Sequence, residues 1–306
     1  MTHSLRYEVN CSILFTELPL LQRTAAAQAA GFAGVEFWWP FDRAVPGDAE
    51  VDAFVRSVRD AGVQLAGLNF FAGDMAAGDR GLVSWPERSS EFRDNIAVTL
   101  GIGERLGCRA FNALYGNRVD GVSREEQDEL AAENLALAAA AAAELEATVL
   151  VEAVSGSPRY PLLTAADALA AIDRVPDADN IGFLADLYHL AVNGDDVDKV
   201  IAAHTGRIAH VQIADNPGRN QPGTGSLPLQ QQLTALQDAG YAGWVGLEYK
   251  PTGASADSFD WVPRTSLTGE TYDQDRVHRA GHHGQPHGGA PGQGRPPGGR
   301  VQPVTG

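Results

Sequence analysis

Four polar residues interrupt otherwise apolar runs in the second half of the chain. Glu152 ends Leu150-Val151-Glu152, Asp186 ends Phe183-Leu184-Ala185-Asp186, Gln212 follows Val211, and Glu248 closes Gly246-Leu247-Glu248. Their separations of 34, 26 and 36 residues each correspond to about one strand-plus-helix unit. Three carboxylates and an amide converging on one cavity would repel, because like charges a few Å apart raise one another's pKa unless a cation sits between them. A divalent metal resolves that conflict. With no His or Cys in the set the donors are all oxygens, which suit Mg²⁺ or Mn²⁺ and disfavour zinc. Taken singly, each acid also reads as a helix cap or a salt-bridging residue at a loop entrance. All four at unit spacing favour the metal.

Eight short aliphatic or β-branched runs alternate with helical stretches, the pattern of repeated βα units around a parallel sheet. The expected strands are Tyr7 to Cys11, Val35 to Phe37, Gln64 to Asn69, Ala110 to Leu114, Thr148 to Glu152, Gly182 to Asp186, Ile208 to Ile213 and Trp244 to Tyr249. The clearest helix begins after Ser123, where Ser-Arg-Glu-Glu resembles a capping box, and runs to about Glu144. Gly31, Gly62 and Gly240 each close a helix and lead into a strand. Eight units point to an α/β fold, a closed (β/α)8 TIM barrel. The doubly wound alternative lacks its Gly-rich first turn. Reactive groups of such barrels stand at the carboxyl ends of the strands, where these four residues fall. Alternation aligns Glu152 with Leu150, Asp186 with Leu184, Gln212 with His210 and Glu248 with Gly246, so each is expected to face the interior.

The 306 residues accommodate a barrel of roughly 250 and a tail. Hydrophobic residues are 44% and charged ones 20%, a globular composition. The 23 basic and 39 acidic residues leave a net charge of −16, which argues against nucleic acid and anionic membranes as partners. Cys11 and Cys108 are too few for a disulfide framework, and the start MTHSLRYEVN has no export signal, so the expected location is cytoplasmic. Two segments are expected: a barrel domain over 1–263 and a low-complexity Gly, Pro and His-rich tail over 264–306, expected to be disordered. The tail's five Arg against three acids leave about −18 on the barrel. Its His278, His282, His283 and His287 read as solvated residues or an adventitious metal binder.

Several stretches resemble the hydroxypyruvate isomerase family, within the xylose isomerase-like barrel superfamily. They are GVEFWWPF (Gly34 to Phe41), GDMAAGDRGL (Gly73 to Leu82), EFRDNI (Glu91 to Ile96), VEAV (Val151 to Val154), DLYHL (Asp186 to Leu190), HVQIADNPGRNQPGTG (His210 to Gly225) and GWVGLEYKP (Gly243 to Pro251). The resemblance spans about residues 6 to 262, and its last two motifs are long and specific. It implies a divalent metal, Mg²⁺ or Mn²⁺, held by Glu152, Asp186, Gln212 and Glu248, with Glu152 and Glu248 as the proton-transferring pair. It further implies interconversion of hydroxypyruvate and tartronate semialdehyde through an enediolate. Related sugar epimerases carry His where this chain has Gln212, which places the resemblance on the isomerase side and leaves His210 a structural role. The family ending PGTGE reads Pro222-Gly223-Thr224-Gly225-Ser226, without its carboxylate.

A small anionic hydroxy-keto acid entering so acidic a protein needs a local cation. Lys250, two residues beyond Glu248, is one candidate; Arg219 and His189 are others. Asn69 and Asn112, at the ends of earlier strands, are candidates for binding substrate hydroxyls. The aromatic run Phe37-Trp38-Trp39-Pro40-Phe41, together with Phe70-Phe71, reads as a wall of the mouth or as a subunit interface, and a homo-oligomer is expected. Asp74 to Gly81 is small enough to form a moving loop over the mouth. The alternatives are an isomerase or epimerase of a longer substrate, such as 2-oxotetronate or a ketose, a DNA-repair endonuclease, and a non-catalytic barrel scaffold. The endonuclease would require a basic groove and several His ligands, and neither is present in the motifs.

Overall fold

In a computed structural model, which describes residues 3–262, eight parallel strands close into a barrel in chain order. They are β1 (Arg6–Asn10), β2 (Gly34–Phe37), β3 (Gln64–Asn69), β4 (Ala110–Asn112), β5 (Thr148–Glu152), β6 (Ile181–Asp186), β7 (Ile208–Ile213) and β8 (Trp244–Leu247). The eighth strand pairs back with the first, Glu8 opposite Gly246, so no edge is left open. Among the described residues eight α-helices surround it: α1 (Arg23–Ala29), α2 (Asp48–Ala61), α3 (Ser89–Leu106), α4 (Arg124–Ala143), α5 (Ala165–Asp173), α6 (Leu187–Asn193), α7 (Val197–His204) and α8 (Leu229–Asp238). Their distribution is uneven. β6 is followed by both α6 and α7, while β8 is followed, among the described residues, by the 3-10 turn Ser255–Ser258 alone. That turn is anchored by Phe259, whose ring lies 4.8 Å from Phe32 and 5.9 Å from Phe15. The tail expected over 264–306 lies outside the described residues.

Helix ends follow local chemistry. Ser123 caps α4 by accepting from the Glu126 N–H at 3.1 Å, but the reciprocal half of a capping box occurs instead on α5, where Thr164 and Asp167 bond each other's backbone N–H groups. Gly31, Gly62 and Gly240 all have positive φ, the left-handed conformation that ends a helix at little cost for glycine.

The two faces of the barrel wall differ. Outward residues such as Val149, Val151, Phe183, Val211 and Val245 are fully buried under the helices and join one apolar cluster. Each such side chain contributes about 1.5 to 3 kcal/mol by leaving water. Inward residues are largely polar: Glu8, Asn10, Glu36, His210, Gln212 and Asp186 are all buried. Leu150 and Leu184 are buried too but lie outside that apolar cluster, as expected for interior positions. Cys11 and Cys108 are free thiols in the core. Among the described residues no helix is long and apolar enough to cross a membrane.

Glycine makes room for this polar interior. A Cβ on Gly246 would come within 2.6 Å of Glu36 Oε1, and one on Gly67 within 3.1 Å of Glu36 Oε2. Gly246→Ala is therefore expected to destabilise the fold by about 1 to 3 kcal/mol in chemical denaturation. Gly101→Ala in α3, where a Cβ meets nothing within 4 Å, should be neutral or stabilising by up to about 1 kcal/mol. Equal effects of the two would contradict the crowding.

Candidate metal centre and active site

Strand register brings the predicted residues to one end of the barrel. Glu152 ends β5 and Asp186 ends β6, with Asp186 paired in register to Gln212 on β7 and Gln212 to Gly246 on β8. Glu248 follows β8 and remains tied to β7, its N–H donating to the Ile213 carbonyl at 3.2 Å. All four side chains are buried. Glu152, Asp186 and His189 offer ligand atoms within 4.8 Å of one another. Glu248 joins them through Arg219, whose Nη2 contacts Glu248 Oε1 and lies 3.8 Å from Asp186 Oδ2.

The hydrogen bonds of these residues leave specific oxygens free. Asp186 caps α6, its Oδ1 accepting from the N–H groups of Tyr188 and His189 at 2.8 and 3.2 Å, while its buried Oδ2 has no hydrogen-bond partner. Gln212 donates from Nε2 to Glu36 Oε1 at 2.8 Å, which fixes the amide and leaves Oε1 buried without a donor. Two orphaned buried acceptors in a cluster of carboxylates fit a hard cation. His189 does not enter the donor set as it stands. Its Nδ1 accepts the Ser155 N–H at 3.0 Å, so the neutral ring carries its proton on Nε2, 3.6 Å from Asp186 Oδ2 and 4.0 Å from Glu152 Oε1. Burial lowers the His189 pKa to about 4, against the raising effect of Asp186, and keeps the ring neutral.

The carboxylates respond to the same crowding. Burial first, then the charges of Glu248 and Asp186, push Glu152 well above the ordinary carboxyl value, opposed by the Asn112 amide. Burial raises Glu248 to about 8 even though Arg219 pulls it down; Asp186 and Glu36 add to the rise.

A second layer lies beneath. Glu36 accepts from Asn10 Nδ2 at 3.0 Å and from Gln212, and its Oε2 lies 2.9 Å from His210 Nε2. Asn10 Nδ2 also donates to Glu248 Oε2 at 3.0 Å, so one carboxylate links two of the candidate ligands. Glu8 completes this layer, 3.2 Å from His210. Glu8, Asn10 and Glu36 were missed in the sequence because they sit early in apolar strands; the inward parity they share with later acids was the available signal.

The remaining candidates separate. Asn69, His189 and Arg219 line a cavity of about 390 Å³ together with Glu152, Glu248 and Trp38. Asn112 Nδ2 donates to Glu152 Oε2 at 2.8 Å and so positions that carboxylate, while its buried Oδ1 has no partner among the described residues. Lys250 is corrected. β8 stops at Leu247, Tyr249 turns into the core to bond Ser258, and Lys250 is exposed and outside the cavity lining. Arg219 reaches the site on a loop organised by Asp215, whose carboxylate accepts from the N–H groups of Asn216, Gly223, Gly225 and Leu227. The Gly223 and Gly225 of the long motif serve that carboxylate. Ser226, where the family ending has its acid, bonds the Asn216 carbonyl.

With this geometry established, comparison with known proteins is informative. Residues 24–265 match the family model described as xylose isomerase-like TIM barrel. A putative hydroxypyruvate isomerase of Streptomyces coelicolor is 57% identical over 84% of this chain and 95% of its own length. The chain belongs to the hydroxypyruvate isomerase family. The hydroxypyruvate isomerase of Escherichia coli is 32% identical over 84% of this chain and 98% of its own. A 2-oxo-tetronate isomerase of Cupriavidus necator is 33% identical over 84% and 97%. Among solved structures, one titled AP endonuclease, family 2, from Brucella melitensis superposes with a TM-score of 0.77 at 34% identity, covering 85% of this chain and 98% of that one.

The raised carboxyl values of this family member carry a stability consequence. A carboxyl whose pKa is higher in the folded chain stabilises the fold fully below its unfolded value of about 4.5, and that contribution drains away as pH rises through about 8. His189 acts between about 6.5 and 4, where stability falls as pH falls, so it leaves the upper window clear. Between pH 6.5 and 8 the metal-free protein should lose about 1 to 2 kcal/mol in denaturant titrations, and saturating Mn²⁺ should remove most of that loss. Parallel profiles with and without the ion would contradict a shared cation site.

Proposed function

We propose that this protein is a metal-dependent isomerase that interconverts hydroxypyruvate and tartronate semialdehyde. One observation carries the reading: two buried carboxyls with raised pKa, Glu152 and Glu248, line one small cavity. At about 390 Å³ that cavity sits at the lower end of ligand pockets, which suits a three- or four-carbon acid.

The reaction moves one proton between adjacent carbons. A carboxylate removes a proton from C3 of hydroxypyruvate, giving an enediolate; a carboxyl returns one at C2, and the hydroxyl proton passes from O3 to O2. Glu152 and Glu248 are the residues for these two transfers, because burial brings carboxyls toward the neutral range in which such groups can both take and give a proton. Arg219 stabilises the ionised form of Glu248, and Asn112 that of Glu152. The neutral His189 offers an Nε2–H for a substrate oxygen, and Asn69 an amide. Glu152, Asp186, Gln212 and Glu248 would hold Mg²⁺ or Mn²⁺, whose charge would stabilise the enediolate oxygens.

The family also includes a 2-oxo-tetronate isomerase at similar identity, so a four-carbon acid is the second reading. The 57% identical relative's name favours hydroxypyruvate. An endonuclease would call for clustered histidines, and each of the two buried groups able to hold an ion among the described residues contains one. The net charge of −16 supports a small anion, rather than a nucleic acid or a membrane surface, as the partner, and a cytoplasmic location is proposed with it. Trp39 and Phe41, half-buried with rings 5.1 Å apart, support association between copies of the chain, which light scattering measures.

Purified protein should consume hydroxypyruvate and form the aldehyde isomer, lose activity on chelation and regain it with Mn²⁺ or Mg²⁺. Glu248→Gln and Glu152→Gln should each cost roughly 10² to 10⁴-fold in kcat. If hydroxypyruvate is inert while 2-oxotetronate turns over, the second reading replaces the first; indifference to chelation with neither acid consumed would leave a scaffold.

A further inference from the structure

We propose that Arg80 receives the substrate's carboxylate through the Nε–Nη2 edge of its guanidinium, making the site selective for short α-keto and α-hydroxy acids over uncharged sugars. The proposal builds on the isomerase reading and names the group that sets its substrate class.

Arg80 lines the same cavity as Glu152, Glu248 and His189. Its Nη1 donates to the carbonyls of Met75 and Asp79 at 3.0 and 2.6 Å. Among the described residues Nε and Nη2 have no hydrogen-bond partner, and no carboxylate lies within 4 Å of the group. These two nitrogens form the planar fork that matches a carboxylate with two parallel hydrogen bonds.

The side chain is also held in place. The Arg80 carbonyl accepts from the Gly116 N–H at 3.0 Å, and the Gly81 N–H donates to the Ala72 carbonyl at 2.9 Å. A Cβ at Gly81 would run into the Leu114 carbonyl, so the backbone beside Arg80 fits closely against the segment after β4. Asp79 accepts from the Asp74 N–H and pairs with Arg88, closing the loop on itself. The arginine therefore loses little freedom on binding an anion.

The other cations near the site are committed or absent. Arg219 is engaged with Glu248 and Asp186, the His189 ring is held by Ser155, whose N–H donates to its Nδ1, and Lys250 lies outside the cavity lining. Against a chain of charge −16, an anionic substrate has Arg80 as its available guanidinium. A ketose or aldose has no charged group to satisfy that edge.

The test is isothermal titration of the full-length protein in Mn²⁺ with D-glycerate, an unreactive acid of the right size, and with glyceramide, its uncharged amide. Arg80→Met should weaken D-glycerate binding on the order of 10 to 100-fold, with a much smaller loss for glyceramide, and Arg80→Lys should fall between. Melting curves establish that the variants fold. Retained D-glycerate affinity in Arg80→Met, equal losses for both ligands, or no D-glycerate binding by the native chain would each overturn the proposal, as would a selective loss in Arg219→Met alone. Turnover separates this from the isomerase reading. Arg80-dependent binding without turnover of either keto acid sinks the reaction and spares the anchor, whereas turnover with an unaltered KM in Arg80→Met does the reverse.

Discussion

Glu152, Asp186 and Glu248 occupy one buried space, and their mutual repulsion is the constraint to which the rest of the barrel answers. Burial and the neighbouring acids disfavour the charges of Glu152 and Glu248. The protein offsets this with groups of graded strength. Asn112 steadies Glu152, Asn10 steadies Glu248, the first turn of α6 holds one oxygen of Asp186, and Arg219 supplies a full positive charge. Those bonds leave Asp186 Oδ2 and Gln212 Oε1 without donors. A hard divalent ion answers both the surplus charge and the unsatisfied oxygens.

The support extends one layer below. Glu36 fixes the Gln212 amide and reaches Glu248 through Asn10, so orientation at the candidate ligands is set from inside the barrel. This needs space that ordinary side chains would fill, and Gly67 and Gly246 provide it. From the other side, Asp215 gathers four backbone N–H groups of the loop that delivers Arg219. A polar interior is costly to bury, and here it is placed where the ligands must be aimed.

Much of this was legible in the chain. The eight strands followed from aliphatic runs and glycine-closed helices, and Glu152, Asp186, Gln212 and Glu248 stood out as polar residues ending apolar strands. What escaped was set by contacts between distant elements. Glu36 lies 176 residues from the amide it orients, and no local pattern marks that pairing. Lys250 failed for a local reason: parity beyond Glu248 assumed that β8 continued, whereas Tyr249 turns into the core and Lys250 outward. Asn112 was recognised as a strand-end amide, but only the fold shows that its partner is Glu152 and not solvent. Among the described residues the chain after β8 is held by the ring of Phe259 against Phe32, a contact that a search for periodicity does not register.

The measurement that bears most directly on this account is a crystal structure of the protein grown with Mn²⁺, using the metal's anomalous scattering to locate it. One ion should appear with oxygens of Glu152, Asp186, Gln212 and Glu248 at roughly 2.0 to 2.6 Å, with Arg219 still beside Glu248 and His189 still bonded to Ser155. An ion seated among Glu8, Glu36 and His210, one ligated by His189 Nε2, or no ion at all would contradict it.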